Sequence, residues 1–333
     1  MDPASRATPV RKLPNCPSAL ITTLTPNPSI DRTLSIGHLE RGEVLRATTA
    51  SAEFAGKGVN LARVLTTNGH QAQAVFPGNP DGLADLIAPL NLAGTQTHLV
   101  AIEGTVRTNL TIIEDDGTTT KINESGPHLS ESACDALLDT AVKHAADSQW
   151  LVASGSLPPG APADFYVQLA TRLSDATEKL VIDTSGTALA RMAHTPCAVA
   201  KPNLEELASL TAKPLWTLGD VVDAAGELQR HGWGTVLVSL GGSGAVLVDD
   251  QVSYGNSPAS DIRNTVGAGD ALLAGFLAGG AKGPTALRNA LVWARAAVRS
   301  TDTVGPPCTA EDQAAVTMSA DVPLEMSVGQ ALR

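Results

Sequence analysis

Short apolar runs of β-forming residues alternate with longer stretches of helical periodicity along most of this chain, and that alternation constrains its fold more than any other feature. Ala19–Leu24, Ala72–Phe76, Gln149–Ser154, Lys179–Asp183, Ala198–Lys201 and Thr235–Leu240 read as strands. Between them, Val59–Asn68, Asp81–Leu90, Glu131–Ala146, Ala163–Leu173, Leu204–Leu210 and Val221–His231 carry apolar residues at helical spacing. Strands that are continuously apolar and follow one another through helices predict a parallel α/β sheet.

Two regions break the rhythm. Asp31–Ile36 and Val44–Ala50 read as short strands joined through Gly42, and Thr108–Glu114 with Thr118–Asn123 reads as a hairpin over Asp115-Asp116-Gly117. These Thr-rich segments alternate in polarity, which predicts a small antiparallel flap beside the main sheet. A flap over a sheet implies a site that can close. No internal repeat, heptad pattern or low-complexity linker interrupts the chain, so one continuous unit with an embedded lid is expected.

Composition narrows the partners. The 333 residues carry a formal net charge of −11, which argues against nucleic acid or an anionic membrane as the default partner, since both demand a basic face. Aromatic residues make up only 3%, so the core should be aliphatic. Cys16, Cys134, Cys197 and Cys308 lie far apart without CxxC spacing, which supports neither a disulfide framework nor a zinc site, and a reducing cytoplasm fits best. No apolar run reaches the roughly 18 residues of a membrane span. Residues 1–18 mix prolines and charges and read as a disordered extension.

The strongest chemical signal is Thr265-Val266-Gly267-Ala268-Gly269-Asp270, followed by the helical run Ala271–Leu277. Two glycines let the backbone turn tightly just before a helix, so several free N–H groups can point at one anion. An Asp at that helix start is placed to accept a hydroxyl proton beside a phosphoryl group; the same Asp could instead simply cap the helix. Ser239-Leu240-Gly241-Gly242-Ser243-Gly244 follows an apolar strand, where α/β sheets bind nucleotides, although a plain strand turn explains it equally well. It matches neither GxGxxG nor a Walker A sequence.

Further candidates lie along the chain. Gly56-Lys57-Gly58-Val59-Asn60 sets a cation between glycines before a helix, where backbone and ammonium could both reach a phosphate. Arg107 and Ser154-Gly155-Ser156 could add donors. Asp31, after a Pro-stiffened strand exit, could grip sugar hydroxyls. Asn203 and Glu206 stand three apart at a helix start, suited to hydrated Mg2+, to a capping box, or to both. The seven histidines show no HxxxH spacing, so zinc hydrolysis has no support.

In this order and spacing the segments resemble the PfkB carbohydrate kinases of the ribokinase-like superfamily. The resemblance is strongest to the branch that holds 1-phosphofructokinase and tagatose-6-phosphate kinase, and runs from about Ala19 to Pro307. It rests on Thr25-Pro26-Asn27-Pro28-Ser29-Ile30-Asp31, Gly56-Lys57-Gly58-Val59-Asn60, Ser154-Gly155-Ser156-Leu157-Pro158-Pro159-Gly160, Lys201-Pro202-Asn203 with Glu206, and Gly267-Ala268-Gly269-Asp270. It implies a three-layer αβα fold with a mostly parallel sheet and a small antiparallel β lid, formed by about 31–50 and 106–123, that often mediates dimers. The kinase domain would span 19–310, with 311–333 as a C-terminal tail or helix.

The resemblance also implies roles. Asp270 becomes the proton acceptor, and the amides of Gly267, Ala268 and Gly269 the anion hole. Asn203, Ser239, Gly241, Gly244, Thr265 and Gly269 fall on the ATP side, with Asn203 and Glu206 handling Mg2+ indirectly. Asp31, Gly56, Lys57, Asn60, Arg107 and Ser156 fall on the sugar-phosphate pocket. The helix Asn289–Arg299 would shape the adenine pocket. Lys57 within Gly-Lys-Gly matches the 1-phosphofructokinase and tagatose-6-phosphate pattern, whereas Asn264 stands where relatives commonly have Asp. The implied reaction is phosphorylation of a sugar phosphate by ATP, most closely D-fructose 1-phosphate.

Overall fold

The computed structural model describes residues 19–259, 261–300 and 303–329; the expected N-terminal extension, 1–18, lies outside the described residues. The strands are β1 (Ile21–Leu24), β2 (Ser29–Ile36), β3 (Thr49–Ala55), β4 (Ala72–Gly78), β5 (Gln96–Ala101), β6 (Arg107–Glu114), β7 (Thr119–Asn123), β8 (Trp150–Ser154), β9 (Leu180–Asp183), β10 (Cys197–Ala200), β11 (Trp233–Ser239), β12 (Ala245–Val248), β13 (Val252–Asn256) and β14 (Thr317–Met318). The helices are α1 (Lys57–Thr67), α2 (Pro80–Leu92), α3 (Glu131–Ala145), α4 (Phe165–Leu173), α5 (Gly186–Met192), α6 (Leu204–Thr211), α7 (Leu218–Arg230), α8 (Ala268–Ala278), α9 (Gly283–Val298) and α10 (Ala310–Ala315).

Ten strands form one sheet in the order β14-β13-β12-β11-β10-β9-β8-β1-β4-β5, and all pairs from β11 through to β5 are parallel. Only β12, β13 and β14 run antiparallel, at one edge. Strand alternation divides the interior into two cores. Leu151, Ala153 and Ile182 face a core built with α3, α4, α5, α6 and α7, while Val152, Val181 and Val199 face one built with α1, α8 and α9. A strand buried on both faces has no position that must be polar, which is why these segments read as unbroken apolar runs. Each fully buried Leu or Val side chain contributes about 1.5–3 kcal/mol, so the sheet's centre is its most stable part.

The four-stranded lid has the order β3-β2-β6-β7. Both outer pairs, β2–β3 and β6–β7, are antiparallel; the central pair β2–β6 is parallel, because the chain leaves the lid through α1, β4, α2 and β5 before returning. The strand expected over Val44–Ala50 lies further on, at Thr49–Ala55. Residues 41–48 are exposed, whereas Phe54 and Ala55 are buried and anchor the strand against the body. The C-terminal tail is more than a helix: after α10 it adds β14 to the sheet edge and buries Val316 and Val328. Among the described residues no helix is long and apolar enough to cross a membrane.

Parallel topology puts the carboxyl ends of β1, β8, β9, β10 and β11 along one edge of the sheet, and the lid leaves from the end of β1. α1 seats tightly on this edge. A Cβ on Gly58 would stand 2.5 Å from Thr25 Oγ1 and 2.8 Å from Ser154 Oγ, so only glycine lets the first turn of α1 come so close.

Candidate active site

The segment ending at Asp270 forms the first turn of α8. Gly267 is its N-cap at φ 80°, and a Cβ there would lie 2.3 Å from the Thr303 carbonyl oxygen, so both conformation and space demand glycine. Ala268 N–H donates to the Thr265 carbonyl at 3.4 Å, and Val266 N–H to Asn264 Oδ1 at 3.0 Å. The amides of Gly267 and Gly269 have no partner among the described residues. They stand at the positive end of an eleven-residue helix, where an anion is favoured.

Asp270 is not the helix cap. It sits inside the first turn, 7% exposed, and its Oδ2 accepts a hydrogen bond from Asn60 Nδ2 at 3.1 Å. Burial, and then the neighbouring Asp183, disfavour its ionised form; Lys57, Asn60 and Lys201 oppose them, and the carboxyl ends up at about 7. A carboxyl that exchanges its proton near neutrality suits a general base.

Beside it, Asp183 at the end of β9 accepts from Lys57 Nζ at 2.8 Å and faces Lys201 Nζ at 3.3 Å, both on Oδ1. Burial would raise the Asp183 carboxyl, but the two ammoniums outweigh it and hold the group below the usual carboxylate range. Burial would lower the Lys57 ammonium, but Asp183, Asp270 and Glu206 outweigh that and push it up.

On the lid, Asp31 and Asn109 are register partners, and Asp31 Oδ1 accepts from Asn109 Nδ2 at 2.9 Å and Ser29 Oγ at 2.7 Å. Arg107, two residues before Asn109 on the same face, donates from Nη1 to the Glu124 carbonyl at 3.3 Å. Burial pushes its guanidinium down, with Asp31 opposing. Ser156 Oγ accepts from Asn27 Nδ2 at 3.3 Å. Buried polar atoms without a partner occur both at the strand ends and α1 (Thr25 Oγ1, Ser154 Oγ, Asn60 Oδ1) and on the lid (Asn109 Oδ1, Arg107 Nε). Orphaned groups of this kind are rare and costly unless a ligand or water satisfies them.

Asn203 and Glu206 form the reciprocal capping box of α6, each bond 2.8 Å. Asn203 also bridges Ser239, so the two candidate nucleotide segments are adjacent. Gly241 lies in an open turn, and Gly244, at φ 96°, packs against the Gly255 carbonyl. The structure therefore brings Asp270, Asn60 and Lys57 together, sets Asn203, Glu206 and Ser239 beside one another, and gathers Asp31 and Arg107 on the lid. Gly56 lies just before α1, and Thr265 just before the anion loop.

Asp183, Lys201 and Asn109 were not among the expected site residues. The first two carried a signal: each ends an apolar run at the carboxyl end of a parallel strand, where α/β sheets place ligands. Asn109 had none, because an Asn within an alternating strand is ordinary.

Comparison with known proteins agrees with this arrangement. A 1-phosphofructokinase of Haloferax volcanii is 37% identical over 264 residues, 78% of this chain and 83% of that protein. One from Escherichia coli K12 is 30% identical over 79% of this chain and 84% of its own length. The crystal structure of Escherichia coli phosphofructokinase-2 in complex with fructose-6-phosphate superposes with a TM-score of 0.78 at 28% identity, covering 89% of this chain and 97% of that one. The profile of the pfkB family carbohydrate kinases matches residues 24–308, and with an Asp at the start of α8, an open anion loop and a β lid over the strand ends, the chain belongs to that family.

Proposed function

We propose that this protein transfers the γ-phosphoryl group of ATP to the C6 hydroxyl of D-fructose 1-phosphate, giving fructose 1,6-bisphosphate and ADP. The observation that carries the reading is Asp270: a buried carboxyl at the start of α8, oriented by Asn60, with two unpaired amides beside it. The hydroxyl oxygen attacks the γ-phosphorus in line as the bond to the β–γ bridging oxygen breaks and its electron pair leaves with ADP. Asp270 takes the hydroxyl proton. The Gly267 and Gly269 amides with the α8 dipole stabilise the phosphoryl oxygens, the Ala268 amide being engaged with the Thr265 carbonyl. Asp31, Asn109 and Arg107 hold the sugar phosphate from the lid. Gly56 and Ser156 shape the same pocket. The relatives' names and Lys57 within Gly-Lys-Gly favour fructose 1-phosphate over fructose 6-phosphate or tagatose 6-phosphate.

The Ser239–Gly244 loop and Asn203 take the nucleotide, with Thr265 at the anion loop and α9 beside the adenine. Mg2+ fits as an ion carried by the nucleotide. Among the described residues no three acidic, His or Cys side chains form a cluster that could hold a metal alone. Glu206 spends one oxygen on the Asn203 amide, leaving the other for a water of the ion. When bound, Mg2+ supplies charge neutralisation of the phosphate oxygens.

The lid's outer face pairs Leu110 with Ile122 in register and carries Leu34 and Ile112, with Ile122 55% exposed. An apolar cleft of about 340 Å³ opens there. A second copy of the chain covering that face makes the protein a homodimer in the cytoplasm.

Turnover measured with ATP and each of the three sugar phosphates tests the reading. The highest kcat/KM is expected for fructose 1-phosphate. A protein that binds sugar phosphate yet transfers nothing would instead be a silent regulator on this fold.

A further inference from the structure

The approach to the anion loop has no apolar anchor. None of the described residues from 257 to 267 is buried, and Ile262 is 58% exposed, so polar ties must set the position of this stretch. Those ties lead to the end of α9. The Arg263 and Asn264 N–H groups donate to the Val298 carbonyl at 2.8 and 3.2 Å. Arg299 Nε donates to Asp261 Oδ2 at 2.8 Å, and Arg295 Nη1 donates to the Pro258 carbonyl.

Both guanidiniums converge on one carboxylate in the tail. Asp312, the third residue of α10 and 2% exposed, takes Arg299 Nη1 at 2.9 Å and Arg295 Nε at 3.5 Å on the same Oδ1. Its Oδ2 accepts from the Thr309 N–H at 2.9 Å and the Thr309 hydroxyl at 2.7 Å. Glu311 meets the same two guanidiniums at 3.6 and 3.4 Å. Capping α10 does not require this arrangement. Asp220 closes the same kind of box at α7 through Thr217 and the Trp216 N–H, with no cation acting on it among the described residues. Burying a carboxylate beside a buried arginine carries a desolvation cost that a cap alone avoids. The pairing at Asp312 therefore has another use, and the ties beyond the two arginines show where it acts.

We infer that Asp312 is a positioning residue for the anion loop. Through Arg295 and Arg299 it fixes the approach at Pro258 and Asp261, and with it the place of the Gly267 and Gly269 amides beside the transferring phosphoryl group. The inference rests on the kinase reading. Asp312 acts only through its two arginines, and its effect falls on the chemical step, because donors aimed at developing charge lose their value when displaced by a fraction of an ångström. The acceptor side is spared, since Asp31, Asn109 and Arg107 reach the sugar phosphate from the lid.

The test is steady-state kinetics on Asp312→Asn, with ATP and whichever of the three sugar phosphates wild type turns over best. Rates are expressed per folded molecule, the folded fraction being set by near-ultraviolet circular dichroism. Asn keeps the shape and an oxygen for the cap but removes the charge. We expect kcat to fall about tenfold, with sugar-phosphate affinity by calorimetry within about twofold of wild type. Asp261→Asn changes a side chain 44% exposed and loosens the hold of Arg299 on the approach at little cost in stability. Its kcat should fall about threefold, and it carries the test if the Asp312 variant does not fold. Arg299→Gln added to Asp312→Asn should slow turnover no further than the slower single variant, because both break one relay.

The inference is overturned if Asp312→Asn, or Asp261→Asn where the former does not fold, keeps kcat per folded molecule within about twofold of wild type. A tail helix that only stabilises the fold would give that result with a lowered Tm. Rate losses that multiply in the double variant also overturn it. A wild-type protein that neither binds ATP nor transfers phosphate defeats the kinase reading itself, and this inference with it.

Discussion

The floor of the proposed site and the lid above it both hold charged side chains, but in different solvents. Three of the floor charges are buried, Asp183 with its side chain 1% exposed, Lys201 5% and Asp270 7%, while Lys57 at their rim is 37% exposed. They come from strand ends and helix starts locked into the core. The lid charges, Asp31 and Arg107, sit half-buried on strands of a sheet whose outer side is open. In a low dielectric a pair of charges interacts strongly and pays heavily for any imbalance, whereas half-solvated charges are screened. Floor residues should therefore govern the chemical step and the stability of the site, and lid residues the capture of the acceptor.

The largest expected effect tests the floor directly. Asp270→Asn should lower kcat by about 10³-fold, within the usual span for losing a general base, with sugar-phosphate affinity little changed. An ADP-release assay beside calorimetry checks this, and undiminished turnover would remove Asp270 from the mechanism. Next comes Asp183→Asn, which leaves the buried Lys201 ammonium and the half-buried Lys57 ammonium without their acid. Denaturant unfolding should show a loss of about 3 kcal/mol, whereas the matching lid change, Asp31→Asn, should cost less than about 1 kcal/mol. Equal losses would erase the contrast.

The lid's own test is Arg107→Ala, for which KM for the sugar phosphate should rise about 10- to 100-fold, equivalent to one charge-assisted contact, with kcat within a few-fold. A smaller effect concerns pH. The Asp270 carboxyl sits at about 7 in the fold against an ordinary 3.8, so its ionised form is disfavoured by folding. That penalty is absent below about pH 4, grows between 4 and 7 and is complete above 7. Asp270→Asn should therefore melt a few degrees above wild type at pH 8, with the margin vanishing at pH 4. Calorimetric melting at both values decides it. The smallest effect belongs to Asn203→Ala, which removes half of the α6 capping box and should cost about 1 kcal/mol.

Much of this was legible in the residues. The six expected strands of the main sheet and the six helices beside them occur, within a few residues at their ends. The glycine turn before α8, the small second sheet and the carboxyl at the start of α8 were each carried by a local pattern of glycine, alternation or helix start. The elements that escaped notice are those whose periodicity is short or whose burial depends on a distant partner. β12 and β13 are brief strands at an edge, and β14 is two residues whose pairing with β13 exists only because α9 and α10 bring the tail back. β3 lies later than the sequence predicts, because Val44 and Leu45 look like strand residues. Val44 is 84% exposed, and the true strand is held by Phe54.

By itself the sequence determined what propensity and spacing control: a parallel sheet read from continuous apolar runs, an anion loop read from Gly267 and Gly269, and a carboxylate one turn into a helix. Only the tertiary structure decided which charges meet. Lys57 and Asp183 are 126 residues apart and Asn60 and Asp270 are 210 apart, and nothing local to either partner specifies the other. Parallel topology does so, by lining up the ends of β9 and β10 beside the first turns of α1 and α8. Burial of Asp183, Asn60 and Asp270 then couples them, with Lys57 at the rim, into one electrostatic unit.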